Sequence, residues 1–144
     1  MPNQKVIFES QIDGEFSGFN EMQFFKLSNG TYWLQDEYKY LYYYFYCPRV
    51  SIVESQGTLF LNVEGITEWV KVRQVAGVIE SYIEGTFKGW DGKTTYKLTN
   101  GQVWTQTQYR YQYKYAHRPK AYIYKNGGSY FMSVAGTYAK VRRA

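Results

Sequence analysis

Cysteine, histidine and proline are nearly missing from this sequence, at one, one and three residues. The lone Cys47 permits no disulfide within the chain and has no Cys-x-x-Cys partner, so neither a disulfide framework nor a thiolate metal site is expected. The lone His117 stands opposite Tyr46 in the internal repeat described below and is not a duplicated ligand. No apolar run approaches the roughly 20 residues of a membrane span. Met1-Pro2-Asn3-Gln4-Lys5-Val6 lacks the apolar centre of a secretion signal, so a cytoplasmic protein with no membrane partner is expected. Neither a glycine-rich phosphate loop nor a nucleophile elbow is present. The carboxylates that recur in both repeats, Glu9/Glu80 and Asp13/Glu84, lie beside turn glycines, where satisfying backbone donors suits them better than acid–base work. No catalytic residue, cofactor or metal is expected.

Tyrosine is what the chain has in excess: 17 residues, within an aromatic content of 21%. Tyr109, Tyr111, Tyr113 and Tyr115 occupy alternate positions, and so do Tyr38, Tyr40, Tyr42 and Tyr44. Side chains two apart share a face in a strand and do not in a helix, so both ladders read as strands. Their rings are either barrel core, with Phe16, Trp33 and Phe60, or a surface.

The ladders belong to a duplication. Sliding the chain on itself by 71 residues aligns 9–73 with 80–144 without a gap, and roughly a third of the pairs are identical. Among them are Gly14/Gly85, Phe16/Phe87, Gly18/Gly89, Asn29-Gly30/Asn100-Gly101, Trp33/Trp104, Gln35/Gln106 and Pro48/Pro119. Asn-Gly between apolar runs predicts a hairpin in each copy. Residues 11–16 read as a first strand, Val6-Ile7-Phe8 as an added edge strand, and Pro48 as the stop of the ladder. Five or six short strands per repeat, with no helix, predict an all-β chain of two tandem small barrels. SH3-like is preferred, since an OB-like barrel needs longer strands and a helix. The first spans residues 1–75 and the second 76–144.

Repeat two reads I-E-G-x-F-x-G-W-D-G-x-T-x-Y-K-L-x-N-G-Q-x-W, then the ladder, then P-x-x-x-I-Y. This pattern resembles a short β module near the C-termini of assorted uncharacterised bacterial proteins, which implies a mobile accessory module. Repeat one departs from the pattern, with Phe19 for the tryptophan and Glu21 for the glycine. The resemblance therefore assigns the module's role to repeat two.

Charge separates the copies. Repeat one balances near −4 and repeat two near +8, which with Lys5 gives the overall +5. Basic residues interleaved with aromatics suit single-stranded nucleic acid, the cations neutralising phosphates while bases stack on rings. The expected surface is Trp90, Tyr109, Arg110, Tyr111, Tyr113, Lys114, Arg118 and Lys120. The alternative is a protein partner or a second copy of the chain, held by the apolar face Leu41, Tyr43 and Phe45. Carbohydrate or peptide is a third, and Gln35/Gln106 is a minor candidate for a ligand hydrogen bond.

Overall fold

The computed structural model describes residues 4–144; Met1-Pro2-Asn3, the start of the leading segment, lie outside the described residues. Every regular element among them is a strand, and no helix is long and apolar enough to cross a membrane. The chain divides into two compact units, Met1–Val75 and Ala76–Ala144.

The first unit has eight strands: β1 (Gln4–Gln11), β2 (Glu15–Phe19), β3 (Phe24–Lys26), β4 (Tyr32–Gln35), β5 (Leu41–Tyr46), β6 (Arg49–Ser55), β7 (Thr58–Val63) and β8 (Val70–Val75). The second repeats them as β9 (Ile79–Tyr82), β10 (Thr86–Asp91), β11 (Thr95–Lys97), β12 (Val103–Gln106), β13 (Tyr111–His117), β14 (Lys120–Asn126), β15 (Ser129–Val134) and β16 (Thr137–Arg143). In the first unit a six-stranded antiparallel sheet runs β1-β6-β7-β8-β4-β3, and β2 pairs with β5 as a separate ribbon. The second unit gives the same arrangement, with the sheet β9-β14-β15-β16-β12-β11 and the ribbon β10-β13. Just past the ends of β1 and β3 an isolated bridge links Ile12 and Leu27, and Ile83 with Leu98 forms its counterpart past β9 and β11.

Eight strands form where five or six were expected, and the reason is local. Gly14, at φ +102°, breaks the expected strand at residues 11–16 into the end of β1 and the start of β2. Val6-Ile7-Phe8 falls inside β1, an edge strand paired to β6. The Asn-Gly hairpins form between β3 and β4 and between β11 and β12. Only the glycine of each pair takes positive φ, and Leu27 N–H donates to Thr31 O at 2.9 Å across the turn. This is a three-residue loop ending in a left-handed glycine, not the two-residue turn that needs positive φ twice.

Each unit has its own apolar core. Phe16, Phe19, Phe25, Leu27, Trp33, Ile52, Leu61 and Val63 are among the buried residues of the first; Phe87, Trp90, Tyr96, Leu98, Trp104, Ile123, Met132 and Val134 are among those of the second. Phe60 was expected inside and is not a core residue. Alternation along β7 puts Leu61 and Val63 inward, so Phe60 stands on the other face, its ring 6.0 Å from that of Trp69.

Candidate binding ribbon

The ladders are surface. All eight tyrosines that define them are exposed, which excludes the core alternative. Tyr38, Tyr40 and Tyr109 precede their strands, and Tyr42, Tyr44 and Tyr46, or Tyr111, Tyr113 and Tyr115, lie within β5 and β13. In the second unit Tyr111, Tyr113 and Tyr115 are 66%, 75% and 61% exposed. The Tyr109 ring meets Tyr111 edge-on at 5.2 Å.

What turns the tyrosines outward is the pairing to β10. Phe87 pairs with Ala116 and Trp90 with Gln112, and the buried Phe87 and Trp90 mark the inner face. Between those pairs the register shifts, so that Lys88 stands opposite two residues of β13, Lys114 and Tyr115. Such a bulge needs one strand to approach the other closely. Gly89 supplies the approach: at φ +98°, a Cβ added there would lie 1.9 Å from Gln112 O. Gly18 holds the same place in the first unit, 1.9 Å from Leu41 O. The glycines duplicated in sequence therefore set the ribbon.

The segment leading into each ladder is held by one buried amide. Gln106 Oε1 accepts from Asp91 N–H at 3.2 Å and Gly92 N–H at 3.0 Å. Its Nε2 donates to Gln108 O and Arg110 O, both at 2.9 Å. Gln35 does the same in the first unit, accepting from Asn20 N–H at 2.9 Å and donating to Asn20 O, Glu37 O and Lys39 O. Both side chains are spent internally, so the glutamine pair is a scaffold and not a ligand contact. Below it, Asp91 Oδ1 accepts from Lys93 N–H at 3.1 Å and Thr94 N–H at 2.8 Å. The Thr94 side chain first, and the Lys93 N–H next, hold the Asp91 carboxyl below its usual range.

Of the cations expected at the surface, two remain there. Lys114 and Arg118 are exposed and make no ion pair among the described residues. Arg110 is half-buried: its guanidinium donates to Tyr138 O at 2.7 Å and stacks over the Tyr138 ring at 4.6 Å. Lys120 is paired with Glu80 at 3.6 Å. Trp90 is not a surface ring at all; it is 3% exposed, packs edge-on to Phe87 and Tyr96, and donates its indole N–H to Thr137 Oγ1. Sequence reasoning passed over Lys88, which is exposed and flanked by the buried Phe87 and Trp90. Its signal was available: it alternates with Phe87 on β10, and its twin is Ser17.

The apolar face of the first ladder packs in part on its own unit. Leu41 and Phe45 are half-buried against the core of their own unit. Phe45 stacks on Phe16 at 6.4 Å, Tyr43 stacks on Phe45 at 5.7 Å, and Phe45 sits 3.4 Å from the position of a Cβ on Gly65. Leu41 and Phe45 thus cover part of the core beneath β5, while Tyr43, stacked on Phe45, stays 43% exposed. On the opposite face Tyr44 donates to Glu15 Oε1 at 3.1 Å, and that carboxylate raises the Tyr44 phenol above its ordinary value. The paired carboxylates also find partners, Asp13 with Lys26 at 3.3 Å and Glu84 with Lys97 at 3.9 Å. Among the described residues no cluster of His, Cys, Asp and Glu could hold a metal ion. Compared with protein-family models, curated proteins and solved structures, the chain matches none.

Proposed function

We propose that this chain is a non-enzymatic binding module that takes single-stranded nucleic acid on the outer face of its second ribbon. The observation that carries the reading is the row Tyr111, Tyr113 and Tyr115, exposed together with Lys88 on the outer face of the ribbon, with Lys114 exposed on its other side and Arg118 just past the end of β13. Rings two residues apart on a strand are spaced by roughly 6.6 Å, about twice the rise per nucleotide in a duplex. A stretched, unstacked strand fits that spacing, each ring receiving a base and the cations meeting phosphates. Base–ring stacking contributes about 1–3 kcal/mol per base and is tolerant of sequence.

Titration of fluorescent single-stranded DNA and RNA with the full chain tests this. Binding at ~50 mM salt is expected, falling on a log–log plot with a slope near −2 if three phosphates are neutralised at about 0.7 each. No binding at that salt overturns the proposal. The same reading takes each unit as a small barrel, closed by the Ile12–Leu27 and Ile83–Leu98 bridges, with the ribbon as an outgrowth. SH3-like remains the preferred class, and the protein is taken as a cytoplasmic accessory module.

A further inference from the structure

The two ribbons are built alike, and Glu15 of the first and Lys88 of the second set opposite charges among the tyrosines; the Asp91 carboxylate, at the Tyr111 end of the second, is taken up by the backbone N–H groups of Lys93 and Thr94. In the first unit Glu15 shares the outer face with Tyr44, whose hydroxyl donates to it, and Tyr42 and Tyr46 are exposed beside them. In the second unit Lys88 stands across the bulge from Tyr115, and the exposed Tyr113 and Tyr111 follow along β13 opposite Gly89 and Asp91. The twin of Glu15 is Thr86 and the twin of Lys88 is Ser17, so neither face carries both signs at these positions. Taken over the whole repeats, the balance is near −4 for residues 9–73 and near +8 for residues 80–144.

We infer that the ribbon of the first unit docks, tyrosine face to tyrosine face, on the ribbon of the second unit of another copy of this chain. Two first units would bring like charges together, and so would two second units; only the mixed pairing sets Glu15 against Lys88. Six phenol rings at roughly 200 Å² each, about two-thirds exposed, give on the order of 800 Å² of surface to bury. That lies below the ~1,200 Å² where stable complexes begin, so the contact is weak and concentration-dependent. Because the paired surfaces differ, the contact is heterologous.

The experiment is sedimentation velocity on nucleic-acid-free full-length protein, from ~10 to ~500 μM. No oligonucleotide is present, so failure of nucleic-acid binding leaves the result unaffected. Wild-type protein is expected to self-associate at ~50 mM salt and to sediment as a monomer at ~500 mM. Glu15→Lys alone and Lys88→Glu alone should each weaken association at least tenfold. Both side chains are exposed, and unchanged melting shows the variants folded. An equimolar mixture of the two variants should regain the wild-type association. In the mixture the two reversed charges meet each other at one contact, while the natural Glu15 and Lys88 meet in the opposite direction. Wild-type protein that stays monomeric across the range, association that strengthens with salt, or a mixture that does not recover each overturns the inference.

Discussion

Trp90 Nε1 donates to Thr137 Oγ1 at 3.0 Å, across 47 residues of sequence. The twin positions in the first unit hold Phe19 and Ile66, both buried. The indole brings a donor into the core and the threonine brings its acceptor, while the phenylalanine needs none and the isoleucine of the same core offers none. Thr137→Val should therefore leave a buried N–H unsatisfied and cost about 1–3 kcal/mol. Adding Trp90→Phe to that variant should recover part of the loss, as the polar partner is no longer required. Urea unfolding of the two single variants and the double variant measures the coupling; additive losses would mean the pair is not linked.

The glycines of the bulges are not interchangeable with those of the hairpin tips. Gly89 and Gly101 both have positive φ, but a Cβ at Gly101 meets nothing within 4 Å, whereas at Gly89 it meets Gln112 O at 1.9 Å. Gly101→Ala is expected to cost about 1–2 kcal/mol, the penalty of a left-handed alanine. Gly89→Ala must also push β13 away from β10, so its loss should be clearly larger, and Gly18→Ala should behave like it. Equal midpoints for Gly89→Ala and Gly101→Ala in a denaturant series would refute the close approach.

Much of this was legible because the chain states its pattern twice. The hairpin tips, the Trp33 and Trp104 strands and the strand character of the ladders follow from alternation and Asn-Gly, which are local signals. The outward face of the tyrosines was not, because period two says that residues share a face and not which face meets solvent. That choice is made by Gly18 and Gly89 through a register shift between strands distant in sequence. Trp90 was misread for a related reason. Its neighbour Asp91 and the glycines around it look like a surface turn, yet the positive φ at Gly89 resets the alternation and turns the indole inward. Leu41 and Phe45 differ from their polar or small twins in reaching the core of their own unit, a contact that period two alone does not reveal and that Gln112 and Ala116 leave unfilled in the second.

Tyr96 gives the fold a dependence on alkali. Its hydroxyl donates to Gly89 O at 2.7 Å, and burial first, with the Asp91 carboxylate adding, pushes the phenol up to about 12. A phenol harder to ionise in the folded chain than in the unfolded one stabilises the fold while it stays protonated. That contribution is complete below about pH 10 and is lost as pH climbs towards 12, with a total on the order of 2 kcal/mol. Replacing Tyr96 with Phe, the residue its twin Phe25 already is, should flatten the fall in unfolding free energy from urea titrations between pH 9.5 and 11.5 by about that amount. An identical fall in both proteins would assign the loss to other groups.

Arg110 and the ribbon lysines should separate when binding and stability are measured together. The guanidinium of Arg110 is held by Tyr138, through its carbonyl and its ring, and Gln106 Nε2 donates to the Arg110 carbonyl from below. Arg110→Ala is therefore expected to lower stability by about 1–2 kcal/mol, the scale of a charge-assisted hydrogen bond, while changing the salt slope of oligonucleotide binding little. Lys88→Ala and Lys114→Ala remove exposed cations that make no ion pair among the described residues. Each should leave melting nearly unchanged and reduce the slope by about 0.7. Tyr113→Ala should weaken binding by about 1–3 kcal/mol and leave the slope alone, because stacking releases no counterions. The measurement is a salt titration of each variant beside its thermal melt. A slope that falls with Arg110→Ala and holds with Lys88→Ala would move the phosphate path off the ribbon face and onto the Tyr138 side.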